Sequence, residues 1–185
     1  QGVLWGRSER LAELPVAKLR AATEEIPFRW MTGTQSHEAM AGTIAAIEHI
    51  AWIGRCVSDG DLSRREALGC AFEAIEEYEQ SLCWRMIDGL QALDGVRIWG
   101  ITDSERKTER APTVSFTHDS MSPKRIADAL AERGIFVWEG NFYALELTEA
   151  LGLEPEGVLR VGVLHYNTMD EVDRFLDELA DILSS

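Results

Sequence analysis

The chain has 185 residues, 32 acidic and 18 basic side chains, and a formal net charge of -14. That charge repels phosphate backbones and anionic membrane surfaces, which excludes binding driven by a basic face. A hydrophobic fraction of 45% with 27% charged residues is too apolar for disorder. No apolar run approaches the roughly 20 residues that span a bilayer.

In chain order, Gln1-Gly2-Val3-Leu4-Trp5-Gly6 reads as a short apolar strand of the kind buried on both faces. With no initiator Met and no signal-peptide pattern, the chain is expected to be a piece of something longer. Residues 8–14 read as a short helical turn ended near Pro15. Residues 20–35 carry two turn signals, Ile26-Pro27 and Thr32-Gly33-Thr34, and read as a loop. A helix starts at Ser36, with Met40, Ile44, Ile47 and Ala51 at helical spacing and Gly54 near its end. After Asp59-Gly60-Asp61, Ser63-Arg64-Arg65-Glu66 is a capping box. It opens a helix to about residue 90, striped by Leu68, Phe72, Ile75, Leu82 and Met86. At 1.5 Å per residue such a helix spans roughly 40 Å.

The period changes at Leu93-Asp94-Gly95. Val96–Ile101 and Pro112–Thr117 read as strands joined by a charged loop over 103–110. Ser122-Pro123 begins a helix that stops at Gly134. Ile135–Trp138 reads as a strand, Glu139-Gly140-Asn141 as a turn, 142–151 as helical or irregular, and Val158–Tyr166 as a strand. Thr168-Met169-Asp170-Glu171 is a second capping box. The last helix sets Val172, Phe175, Leu176, Leu179 and Ile182 on one face. The chain therefore divides near residue 93, and the second part is a compact α+β layer of helices on one sheet.

Cys56, Cys70 and Cys83 show no CxxC spacing and fit reduced thiols in a cytoplasmic protein, read as small buried hydrophobes on helices. His37-Glu38 is not followed by a second histidine, because Ala41 stands there, so the zinc motif is absent and no metal site is expected. Lys18, Lys107 and Lys124 stand in charged or helix-start surroundings and read as solvated.

Three local patterns coincide. Arg160-Val161-Gly162-Val163-Leu164-His165-Tyr166-Asn167-Thr168, followed by Glu171-Val172-Asp173, resembles the C-terminal signature of class V aminotransferases and cysteine desulfurases. These are pyridoxal-phosphate (PLP) enzymes of fold type I. Arg29-Trp30-Met31-Thr32-Gly33-Thr34-Gln35, running into an Ala-rich helix, resembles their Gly-Thr loop, and Gly2-Val3-Leu4-Trp5 resembles the strand after their cofactor lysine. The order and distances of these matches agree with that family over essentially the whole chain.

The resemblance implies an α/β chain from the C-terminal part of a PLP-dependent transferase fold. Residues 1–92 would be the remnant of the large PLP domain, a strand and long helices including an interdomain one. Residues 93–185 would be the small α+β domain. It implies a homodimeric lyase or transferase that acts on an amino acid. The lysine that carries the cofactor would lie just before Gln1, in a missing N-terminal PLP domain. This piece alone would then be inactive.

The resemblance also assigns roles. Arg160 would hold the substrate carboxylate, a task suited to a guanidinium fork; the alternative is a buried arginine paired with a structural acid. Gly33 and Thr34 would meet the PLP phosphate of the neighbouring subunit; the alternative for Thr34 is a plain helix cap. Gln35 stands where desulfurases commonly have proline. Trp138-Glu139-Gly140-Asn141-Phe142-Tyr143-Ala144 aligns with the loop that carries the persulfide-forming cysteine. Tyr143 takes the cysteine position and Trp138 that of an arginine. A phenol cannot accept sulfane sulfur as a thiolate does, so ordinary desulfuration is not expected. Asn141 and Tyr143 could line the substrate pocket, or be a turn residue and a packed aromatic. Outside this family reading stands a non-enzymatic acidic interaction module that keeps the small-domain fold.

Overall fold

The computed structural model describes residues 1–31 and 33–184; Thr32, within the turn signal at 32–34, lies outside the described residues. The elements run α1 (Ser8–Glu13), α2 (His37–Val57), α3 (Arg64–Gln91), β1 (Val96–Trp99), β2 (Thr113–His118), α4 (Pro123–Glu132), β3 (Trp138–Gly140), α5 (Leu145–Ala150), β4 (Val158–Gly162) and α6 (Met169–Leu183). Short 3-10 turns lie at Phe28–Trp30 and Ser104–Glu109, the second within the expected loop over 103–110.

Two compact units divide the chain, Gln1–Ala71 and the residues from Phe72 onward. The division falls inside α3. The physical reason is that the second half of α3 belongs to the later core. Its Leu82, Cys83, Met86, Ile87 and Leu90 are fully or almost fully buried there.

In the first unit, α2 and α3 meet through small residues. A Cβ on Gly54 would lie 1.8 Å from the Ala67 carbonyl oxygen, so the helices touch backbone to backbone. Arg64 on α3 donates to Glu48 on α2 at 3.1 Å. The Ser63–Glu66 capping box forms: the Ser63 N–H donates to the Glu66 carboxylate at 2.9 Å, and the Glu66 N–H donates to Ser63 Oγ at 3.3 Å. Ahead of α2, the Arg29 guanidinium donates to the carbonyls of Ala12 and Leu14, and the Trp30 indole donates to that of Leu11.

Residues 1–6 form no strand, contrary to the sequence expectation. A strand needs a neighbour to satisfy its amides, and the sheet among the described residues contains only β1 to β4. Trp5 is left 82% exposed. The stripe predicted on α2 buries Ala51 but leaves Ile44 60% exposed. Two further expectations fail here. Cys56 is exposed and Cys70 half-buried, so only Cys83 is a buried thiol. Lys18 is not solvated: its ammonium pairs with Glu24 at 2.8 Å and donates to the Ala22 carbonyl.

In the second unit, four antiparallel strands take the order β1-β2-β4-β3. Val114, Phe116 and Leu159 point to one face and pack on α3, α4 and α6. Val172, Phe175, Leu176, Leu179 and Ile182 of α6 are all buried, as their spacing predicts. Gly89 lets α3 approach α6, since a Cβ there would meet Leu176 at 2.3 Å. Ser122 caps α4 through the Arg125 N–H, and Thr168 and Glu171 form a complete capping box on α6.

Strand limits differ from the sequence reading for local reasons. After α4, Gly134 adopts a φ of 74°, and the Ile135 N–H returns to the Leu130 carbonyl. That helix-ending bond keeps 135–137 out of the ladder, so β3 starts at Trp138 and takes in Glu139 and Gly140, read as a turn. β4 stops at Gly162 because Asn167 closes the next turn: its carboxamide oxygen accepts the Leu164 N–H at 2.9 Å. Leu164 and Tyr166 therefore do not continue the strand face of Arg160.

Candidate functional site

The sheet face opposite the helices carries the candidate residue Arg160. Register aligns one residue from each strand into a row: Trp99 opposite Ser115, Ser115 opposite Arg160, and Arg160 opposite Trp138. The Arg97 guanidinium lies 3.9 Å over the Trp99 ring, whose indole N–H donates to Thr117 Oγ1 at 3.1 Å. Trp138 is 72% exposed.

Arg160 lies exposed in this row, with no acidic partner among the described residues. Within this chain Arg160 is thus neither buried nor salt-bridged. Its guanidinium sits 3.9 Å over the Phe142 ring. An unpaired fork on an open surface has its donors available for a carboxylate.

Asn141 is a turn residue: its side-chain oxygen accepts the Tyr143 N–H at 3.2 Å, and its carbonyl accepts the Ala144 N–H at 2.8 Å. Between those anchors, Phe142 and Tyr143 take φ values of 54° and 61°, in the left-handed region non-glycine residues avoid. Tyr143 is 103% exposed and packs against nothing among the described residues of this chain. Arg160 and Phe142 thus come together, Asn141 holds the turn, and Tyr143 projects free.

Gly33 and Thr34 belong to the first unit, directly before α2. Gly33 has a φ of 73°, and a Cβ there would meet nothing within 4 Å. Thr34 is exposed and makes no hydrogen bond to another described residue. It is not the helix cap; Ser36 holds that position and makes no side-chain cap bond. The first-turn amides of α2 therefore lack a side-chain acceptor. An open glycine turn, a free hydroxyl and uncapped amides are a donor set that fits a phosphate. Elsewhere in this unit a cleft of about 550 Å3, which includes Trp30, Gln35 and Met40 in its wall, has no acidic or basic side chain in its lining.

The 141–144 turn contains no cysteine. Cys83 is buried in the core, and burial pushes its thiol above the ordinary range, against the opposing pull of Arg110. Among the described residues, no group of three or more His, Cys, Asp or Glu side chains is placed to hold a metal ion. No described helix is long and apolar enough to cross a membrane.

Phe142 is the site residue that sequence reasoning missed. Its signal was faint: an aromatic pair directly after Gly-Asn. Spacing could not show the ring turned under Arg160, because that depends on the left-handed backbone.

A mixed α/β chain with this antiparallel sheet has clear structural neighbours. A cysteine desulfurase from Thermococcus onnurineus superposes with a TM-score of 0.74 at 23% identity, covering 96% of this chain and 42% of that one. The chain thus shares the fold of part of that enzyme. The class-V aminotransferase family model matches residues 2–175, and the chain belongs to that family. It is 38% identical over 116 residues to an aminotransferase-like protein, FGM3, of Gibberella zeae, across 60% of this chain and 28% of that protein. It is 29% identical over 186 residues to a probable cysteine desulfurase of Mycobacterium leprae, across 95% of this chain and 39% of that protein. The chain therefore spans well under half the length of these curated relatives.

Proposed function

We propose that this chain is the carboxylate-binding part of a PLP-dependent enzyme acting on an amino acid, with Arg160 holding the substrate carboxylate. The observation that carries this reading is the unpaired Arg160 guanidinium on the open sheet face, stacked on Phe142. Family membership supports PLP as the cofactor. When bound, PLP supplies the electron sink for chemistry at the amino-acid α-carbon. Gly33, Thr34 and the first amides of α2 would receive its phosphate, from a neighbouring subunit in a homodimer. The lysine that carries the cofactor would lie outside this chain, as would the rest of the PLP domain, so the chain alone would be inactive. A cytoplasmic location fits the reduced thiols.

The chain's own residues bear on the reaction in two ways. Arg160 fixes the carboxylate through two parallel donors, which sets the orientation of the α-carbon. Tyr143, at the tip of the 141–144 turn, offers a phenol where a desulfurase presents a thiol. The 141–144 turn contains no cysteine to take up sulfur, and the Cys83 thiol is buried in the core, where burial raises its pKa. The reading is therefore a lyase or transferase that does not pass a persulfide through this turn.

The test uses the intact enzyme. Arg160→Ala should lower kcat/KM for the amino-acid substrate by about 10- to 100-fold, the worth of hydrogen bonds to a charged group. Arg160→Lys should recover only part, because an ammonium cannot make the fork. With L-cysteine, alanine and sulfide release should be slow. An Arg160→Ala enzyme of unchanged kcat/KM, or rapid persulfide transfer to an acceptor protein, would refute the reading.

A further inference from the structure

The turn that follows β3 is built from residues poorly suited to it. The Asn141 carbonyl accepts the Ala144 N–H at 2.8 Å, and both central residues, Phe142 and Tyr143, lie at positive φ. Turns with two positive-φ centres favour glycine, asparagine and aspartate there, because Cβ crowds the carbonyl of a non-glycine residue. Neither aromatic serves the backbone. The Asn141 carboxamide, which accepts the Tyr143 N–H, braces the strained pair.

The strain has a consequence at Arg160. A residue with ordinary negative φ would direct its side chain elsewhere; Phe142 instead sets its ring 3.9 Å from the Arg160 guanidinium carbon. Stacking of this kind occupies only the face of the guanidinium. All five N–H donors lie in its plane and remain free to meet a carboxylate edge-on. The ring also restricts a long, exposed side chain before a ligand arrives, which lessens the ordering cost of binding. We propose that Phe142 is a positioning residue that pre-orients Arg160 for the substrate carboxylate. The proposal rests on the carboxylate role given to Arg160 above.

The experiment compares L-cysteine with cysteamine, which lacks the carboxylate, as ligands of the intact holoenzyme. Binding is followed by cofactor absorbance and by titration calorimetry. Phe142→Ala should weaken L-cysteine about two- to five-fold, the worth of an exposed cation–π contact, and leave cysteamine unchanged. Phe142→Trp, which keeps a ring, should bind L-cysteine like the parent. In an Arg160→Ala background, Phe142→Ala should cause no further loss. Equal weakening of both ligands, or a loss that persists without Arg160, would overturn the proposal and mark Phe142 as merely structural. If Arg160→Ala itself fails to separate the two ligands, the carboxylate reading falls. If Arg160→Ala separates them and Phe142→Ala does not, only the positioning role falls.

Discussion

The two units of this chain bury their apolar residues very differently. From Phe72 onward, large side chains of α3, α4, α6 and the sheet close on one another, with Phe116, Leu130, Leu159 and Leu179 fully buried. In residues 1–71 the buried hydrophobic positions are alanines, namely Ala51, Ala67 and Ala71. Val3, Leu4, Trp5, Phe28, Ile44 and Trp52 are exposed. One unit is held by a core, the other by a close backbone approach and a few polar ties. Stability argued from area burial applies to the first case and fails in the second.

The largest expected effect tests the core. Phe116→Ala removes a fully buried ring from the core shared by the sheet and its helices, and should cost about 3–5 kcal/mol in denaturant unfolding of the second unit. Hydrogen exchange in α2 should barely change, because the first unit takes no part in that core. A loss of protection in α2 equal to that in α6 would mean that one cooperative transition covers both units, and the contrast would be wrong.

A smaller effect tests the backbone approach. Gly54→Ala would normally gain up to about 1 kcal/mol in a helix interior. Here the new Cβ would sit 1.8 Å from a backbone oxygen of α3, which no rotamer change relieves. The expected sign is reversed, with a loss of about 1–3 kcal/mol from overpacking, read as reduced helicity and faster exchange across α2. A stabilised Gly54→Ala protein would show that the helices do not meet in this way.

These contrasts were unevenly legible in the sequence. Elements with a local cause were plain: both capping boxes, the α6 stripe, and the Ser-Pro start of α4. Where the cause lay in partners the sequence does not name, the reading failed. Residues 1–6 have the composition of a buried strand but no strand partner among the described residues. β3 begins three residues late because Gly134 first ends α4 with a returning bond. Of the candidate site, Arg160, Gly33 and Thr34 came from motif resemblance, and Asn141 and Tyr143 from a loop alignment. Phe142 was hidden, since its direction follows from a φ of 54° that its identity argues against.

The smallest effect uses the same motif in both units. Ser63 caps α3 in the first and Thr168 caps α6 in the second, each with a glutamate that reaches back. Thr168→Ala should cost about 0.5–2 kcal/mol, as a shift of the cooperative transition of the second unit. Ser63→Ala removes an equivalent bond but should only fray the start of α3, leaving that transition in place. The pH dependence follows the same division. Hydrogen bonds from the Thr168 backbone, the Asn167 side chain and the Thr168 hydroxyl hold the Glu171 carboxyl below its ordinary value. The Ser63 hydroxyl and backbone do the same for Glu66. In each case the folded pKa lies below the unfolded one. The stabilisation is therefore present above about pH 4.3 and is lost as pH falls through the folded value. Glu171→Gln should flatten the acid limb of the second unit's stability curve, whereas Glu66→Gln should leave it unchanged. If Glu66→Gln flattens that limb equally, the start of α3 is part of the same cooperative unit as α6, and the boundary at Ala71 does not describe how the protein unfolds.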